Sequence, residues 1–179
     1  MARTNRFPRF ARRDGIIRPL TAGERAIAAE VFGPALDPDP VRLRRAKWFM
    51  FQPAWVTMAP DGDIWCHPNG GVWCDDFSAG PLWQRALFVH EMTHVWQHQS
   101  GVNLILKRRP FAPYAYLPLV PGKAFTAYGI EQQAVIVEDA YRLSQGGRVG
   151  GAPPEATYAA LIPFSAAAAL RPAAGGWPA

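Results

Sequence analysis

The spacing of apolar and polar positions changes several times along the chain, and each change marks an expected element. Between Ala22 and Phe32 the apolar Ile27 and Val31 stand four apart, as on one face of a helix. Thr21 followed by Glu24 is a capping-box signature at its start, and Gly33 supplies a stop. Beyond Pro34, Pro38 and Pro40, the run Val41-Arg42-Leu43-Arg44 alternates apolar with charged, the period of a half-buried strand. Two more short strands, Ala54 to Met58 and Asp63 to His67, are expected on either side of the Pro60-Asp61-Gly62 turn. A second turn at Asn69-Gly70-Gly71 leads into Val72-Trp73, so a hairpin there would set Cys66 opposite Cys74.

A long helix is expected next, capped by Ser78, with Pro81 in its first turn and Gly101 as its end. Another spans Tyr128 to Leu143, closed by Gly146-Gly147, and a short one covers Pro153 to Leu161. The short strands are expected to form a small, mainly antiparallel sheet packed on the long helix and on a second one, an α+β domain.

Length and composition narrow this picture. A chain of 179 residues, 49% hydrophobic, supports one core and leaves little room for another. The expected organisation is a basic flexible arm at 1–18, carrying Arg3, Arg6, Arg9, Arg12, Arg13 and Arg18, a folded domain at 19–164, and an Ala/Pro/Gly-rich tail at 165–179. Eighteen Pro and sixteen Gly imply short elements with defined connections. No window approaches the roughly 18 to 20 apolar residues of a membrane span, so none is expected. The basic arm lacks the apolar run of a conventional secretion signal; a cytoplasmic location is expected, with export by a specialised secretion system left open. The net charge of +5 includes the runs Arg42 to Lys47 and Lys107-Arg108-Arg109. Such runs are usually solvated faces, so nucleic acid is not an expected partner. Cys66 and Cys74 are read as reduced thiols ahead of a disulfide, and ahead of a structural zinc site with His67, for which four local ligands are not visible.

The chemistry concentrates in His90-Glu91-Met92-Thr93-His94. Four helical residues advance about 6 Å and nearly complete a turn, so both imidazoles leave from one face and can grip one ion. Glu91 is rotated away from the ligand direction but stays beside the ion, where it can act as general base toward a zinc-activated water. Leu87, Phe88, Met92, Thr93, Val95 and Trp96 are uncharged, which suits a buried helix.

Catalytic zinc needs a third protein ligand. His98 lies about 12 Å along the axis from His90, too far to share the ion. Gln97 and Ser100 occupy the positions where a metzincin needs Gly and His. Glu131, near the start of the second helix, is the better candidate, against the competing reading of a solvated acid favoured by the helix dipole. Glu138 and Asp139 are candidates for orienting a ligand histidine. Tyr114, Tyr116 and Tyr128 are candidate donors to an oxyanion, and Tyr128 is assigned the catalytic role beside Glu91. The strand Gly62-Asp63-Ile64-Trp65 is a candidate exposed edge for an extended peptide.

With these residues in place the chain resembles a gluzincin, the zincin arrangement in which a downstream glutamate completes HExxH. It is also similar to bacterial Vgr-related proteins and to the metallopeptidase-like domain associated with extracellular contractile injection systems. The resemblance rests on Leu20-Thr21-Ala22-Gly23-Glu24, Val31-Phe32-Gly33, Val41-Arg42-Leu43, Asp75-Asp76-Phe77-Ser78, the motif extended through Val95-Trp96-Gln97, and Glu131-Gln132-Gln133-Ala134, in shared order over residues 19 to 145. It implies a zincin-like fold, a zinc cofactor held by His90, His94 and Glu131, a peptide or protein substrate, and a contractile injection system as a partner. One departure stands out. A gluzincin helix often carries an acid four positions after the ligand glutamate, whereas this chain has Val135. Three readings follow: a zinc peptidase first, a catalytically inactive interaction or cargo module of a contractile secretion system second, and a DNA-associated protease third.

Overall fold

The computed structural model describes residues 15–107 and 113–164. The C-terminal tail at 165–179 and the first fourteen residues of the expected arm lie outside them, as do Arg108 and Arg109.

The fold is α+β. Four short strands, β1 (Ile16–Pro19), β2 (Arg42–Arg45), β3 (Thr57–Met58) and β4 (Ile64–Cys66), form one sheet in the order β1-β2-β4-β3. The β1–β2 and β3–β4 pairings are antiparallel, and β2 runs parallel to β4. The sheet is therefore mainly antiparallel, with a parallel centre that alternation alone does not reveal. Among the described residues five α-helices accompany it: α1 (Ala22–Phe32), α2 (Leu82–Gln99), α3 (Leu104–Lys107), α4 (Ile130–Ser144) and α5 (Glu155–Leu161).

Local chemistry explains most boundaries. The Thr21 hydroxyl accepts from Glu24 N–H and Glu24 accepts from Thr21 N–H, the reciprocal box that starts α1. Asp76 caps a 3-10 turn at Phe77–Ala79 that leads into α2, whose N-cap is Pro81. Ser78 belongs to that turn and donates its hydroxyl to Asp76 instead of capping α2. Gly101, at φ +85, ends α2 in a left-handed conformation that costs glycine little. α3 is started by Asn103, whose side chain accepts from Leu106 N–H.

Three expectations are corrected. The arm does not extend to residue 18, because Ile16 and Ile17 pair with Arg45 and Arg44 in β1, and the Arg18 guanidinium binds both carboxylate oxygens of the fully buried Glu24 at 2.7 Å. Gly62 to Trp65 is not a sheet edge: β4 lies between β2 and β3, and β3 is the edge strand. The second hairpin does not form either. The chain turns at His67, whose carbonyl accepts from Gly70 N–H, and Val72, Trp73 and Cys74 pack against the core without pairing. Both cysteines are free thiols.

α2 is the central helix. All residues from Phe88 to Gln97 are buried, so it presents no solvent face over more than two turns. Phe88, Met92 and Val95 share the core with Leu43 and Ile64 of the sheet, Ile27 and Phe32 of α1, and Ile136 and Val137 of α4. Phe77 stacks on Phe88 with centroids 5.8 Å apart. α4 and α5 are held together by a buried polar link in which Tyr116 Oη donates to Asp139 at 2.7 Å and contacts Tyr158 Oη at 2.6 Å. No helix among the described residues is long and apolar enough to cross a membrane.

Candidate metal centre

α2 carries His90 and His94 on one face with ring centroids 5.0 Å apart. α4 packs across that face so that Glu131, its second residue, is buried against both rings. Glu131 Oε2 lies 3.2 Å from His94 Nε2 and 3.6 Å from His90 Nε2. One donor atom from each of the three falls within 4.8 Å of the others. Atoms bound to one ion at about 2 Å lie at most about 4 Å apart, so this spacing needs little adjustment. Among the described residues, no other group of three or more such side chains converges in this way. Neither cysteine nor His67 joins one, and burial, with the charge of Glu91 behind it, pushes the Cys66 thiol up to about 12.

The opposite edges of both rings are already engaged. His90 Nδ1 is 3.0 Å from Glu138 Oε2, and Glu138 Oε1 accepts from the Arg142 guanidinium. His94 Nδ1 is 2.8 Å from Gln97 Oε1. These oxygens can accept Nδ1–H from each ring, which leaves Nε2, the edge facing Glu131, as the nitrogen that an ion would take in place of a proton. Gln97 Nε2 in turn donates to the Ile130 carbonyl at 3.0 Å and to Gln133 Oε1 at 2.9 Å, and Gln133 Nε2 donates to the Tyr128 carbonyl at 2.8 Å. This amide chain ties the His94 ring to the first turn of α4, which carries the third donor.

The local field favours a cation. Burial opposes charge on His90, but the carboxylates of Glu131 and Glu138, with Glu91 nearby, outweigh it and push the imidazole up to about 10. For Glu138, too, burial works against ionisation, yet His90 and Arg142 hold its carboxyl below the usual range. Two imidazole nitrogens and a carboxylate oxygen, all buried, form a donor set that could hold a metal ion.

Glu91 is 4% exposed and faces the same cleft as the three donors, a cavity of about 450 Å³. Trp55, Val56 and the edge-strand residue Thr57 form one wall. Tyr114, whose ring stacks on His90 with centroids 6.4 Å apart, forms part of another. Val135, standing where a gluzincin often has its second acid, lines the cleft as an apolar residue, and Glu138 orients the histidine from the next turn of α4.

Other candidates lie elsewhere. Tyr128 is buried, its hydroxyl accepts from Val120 N–H at 3.3 Å, and it faces a separate cavity with Pro118 and Phe125. The loop before α4 turns it away from the cleft, so proximity to Glu131 in sequence is misleading. Tyr116 is committed to Asp139 and Tyr158, which accounts for Asp139 as well. His98 is exposed one turn beyond His94, near the end of α2 and against the turn at Gly62. Gln97 and Gln133 were not singled out by residue type. The signal was spacing, since Gln97 lies three residues after His94 and therefore on its face. The basic run in β2 is occupied internally, with Arg44 on Asp63 and Arg45 on the Pro68 carbonyl.

No protein-family model matches the chain. It is 43% identical over 130 residues to the type VI secretion system spike protein VgrG2b of Pseudomonas aeruginosa, an alignment covering 68% of this chain and 13% of that much longer protein. Its fold matches the solved effector domain of Pseudomonas aeruginosa VgrG2b with a TM-score of 0.62 and 37% identity, over 72% of this chain and 75% of that one. At that identity, over three quarters of the solved domain, the chain belongs to the family of the VgrG2b effector domain.

Proposed function

We propose that the protein is a zinc-dependent hydrolase, a gluzincin-like peptidase acting as the effector module of a contractile secretion system. The observation that carries this reading is the convergence of His90 Nε2, His94 Nε2 and Glu131 Oε2 within 4.8 Å, in a cleft that also holds Glu91. A zinc ion bound there would supply Lewis acidity and lower the pKa of water. Glu91 is the general base: its carboxylate takes the water proton and later delivers it to the leaving amine. Glu138 and Gln97 hold the two imidazoles in the required tautomer, so neither ring must reorganise as charge develops. Tyr114 replaces Tyr128 as the donor to the oxyanion of the tetrahedral intermediate, because it is the tyrosine on the cleft wall. Thr57, the first residue of the edge strand β3, borders the cleft and would present edge-strand backbone to an extended substrate.

The secretion assignment is supported by kinship with VgrG2b, a type VI spike protein whose solved effector domain this chain matches. On this reading the protein is exported by such a machine. The same kinship favours the second reading, a module that travels with a spike without catalysing anything.

Metal analysis of the purified protein and cleavage of a broad peptide library by wild type and Glu91→Gln separate the two. The peptidase reading expects near-stoichiometric zinc in both proteins and a loss of about 10²- to 10⁴-fold in rate on substitution. Equal behaviour of zinc-loaded wild type and Glu91→Gln across the library rejects catalysis and leaves the cargo module.

A further inference from the structure

A second cavity, of about 200 Å³, opens beside the metal centre, and Glu91 is not among its described lining residues. It shares His94 and Glu131 with the main cleft, so any occupant would abut the metal donors. Its remaining walls are apolar: Trp48 and Phe49 from the loop after β2, Met58 from the edge strand, Leu104 and Ile105 from α3, and Ile130 from the start of α4. Met58 and Leu104 are buried, whereas Phe49 and Ile105 flank the mouth at 40% and 47% exposure. Beside His94 and Glu131, the described lining residues include no charged side chain. A cavity of about 150 Å³ takes a benzene ring, so this one has room for a large aliphatic or benzyl side chain. A charged occupant would lose its hydration there without a counter-ion.

The edge strand sets how such a side chain would enter. Val56 and Thr57 border the main cleft while Met58 borders the apolar cavity, so β3 runs along both. An extended chain paired with β3 points successive side chains to opposite faces, and one of them would reach the cavity as the backbone passes the ion site.

Building on the peptidase reading, we infer that this cavity is a specificity pocket, and that the substrates are polypeptides with a bulky apolar residue, Phe, Leu or Met, next to the scissile bond. Trp48, Phe49 and Ile105 are the specificity-determining side chains.

The test has two arms. In the first, cleavage sites in a proteome-derived peptide library are mapped by mass spectrometry for wild type, Glu91→Gln and Ile105→Asp. Ile105 is exposed, so its substitution leaves the core intact. Glu91-dependent sites are expected to carry Phe, Leu or Met at one fixed flanking position, with Phe favoured over Ala on the order of a hundredfold, and Ile105→Asp is expected to reduce that preference at least tenfold. Glu91-dependent cleavage with no apolar preference, or a preference untouched by Ile105→Asp, overturns the pocket and leaves the peptidase. In the second arm, N-acetyl-4-fluorophenylalanine amide and N-acetylalanine amide are titrated into the protein as purified, followed by fluorine and proton NMR, which needs neither turnover nor added metal. The fluorinated amide is expected to bind at least tenfold more tightly, with the difference lost in Ile105→Asp. Equal binding of the two amides overturns the pocket even where no cleavage occurs, and absent cleavage with discriminating binding rejects the peptidase reading alone.

Discussion

Glu138 Oε2 sits 3.0 Å from His90 Nδ1, although seven residues of α4 separate Glu138 from the donor Glu131. Seven residues are nearly two helical turns, so both acids project from the same face of α4. Glu131 meets the Nε2 edges of the histidines, and Glu138 takes the far edge of His90. Substituting Glu138 by Ala removes the acceptor that fixes the tautomer and leaves Arg142 with Asp139, at 3.9 Å, as its remaining acidic partner. Zinc affinity, measured by competition with a chromophoric chelator, is expected to fall about 10- to 100-fold. Glu138→Gln keeps an acceptor and should lose less. Unchanged affinity in the alanine variant would show that His90 needs no orienting partner.

Gln97 does for His94 what Glu138 does for His90, with an amide in place of a carboxylate. It also fastens α2 to the first turn of α4 through the Ile130 carbonyl and Gln133. Gln97→Leu preserves bulk in a fully buried position but leaves Gln133 and the Ile130 carbonyl without this donor, a loss of about 1–3 kcal/mol in stability. Zinc affinity should drop in the same variant. A double substitution with Glu138→Ala measures the coupling between the two supports, since both hold rings that would share one ion and their effects on affinity are expected to depart from a simple sum. Loss of stability with full affinity would confine Gln97 to helix packing.

The ion pair of Arg18 with Glu24 makes a separate prediction about the fold. Glu24 accepts two hydrogen bonds from Arg18, one from Thr21 N–H and one from Phe77 N–H, so it joins β1, α1 and the turn before α2. Removing one partner of a buried pair strands the other, at about 3–5 kcal/mol. Arg18→Ala should therefore lower the urea midpoint strongly without changing the metal donors. A variant as stable as wild type would mean that β1 contributes nothing to the folded domain.

What could be read before any coordinates divides along physical lines. Local rules located α1 closely, because its cap and its stop are encoded within a few residues, and they placed α2 through the motif. His90, His94 and Glu131 could be chosen because helical spacing and donor chemistry restrict the options. The strands were harder. Two- to four-residue strands carry almost no period, so Ala54 to Met58 shrank to Thr57–Met58, and the parallel β2–β4 pairing depends on contacts far apart in sequence. Tyr114 could not be told from Tyr128 for the same reason: each lies in a loop, and only the fold decides which one faces the cleft.

Asp76 offers a prediction with a defined pH signature. Its carboxylate accepts from Ser78 N–H at 2.9 Å, Ser78 Oγ at 2.6 Å and Thr21 Oγ1 at 2.9 Å, linking the start of α1 to the turn that launches α2. The Ser78 hydroxyl bond, followed by those from Thr21 and Ser78 N–H and aided by Arg18, outweighs partial burial and holds this carboxyl below the usual carboxylate range. A depressed folded-state pKa means that the unfolded chain takes up the proton first as pH falls. The contribution of Asp76 is therefore fully present above about pH 4, where the unfolded side chain is also ionised, and it fades as pH drops through the folded value. Asp76→Asn keeps the shape and one acceptor but removes the charge. It should cost about 1 kcal/mol at neutral pH, the usual size of a capping interaction. Urea titrations of both proteins at a series of pH values should show the gap between them constant from pH 7 to about pH 5 and narrowing below about pH 4. A gap that stays the same down to pH 3 would assign the effect to shape and hydrogen-bond geometry, with no part for the charge.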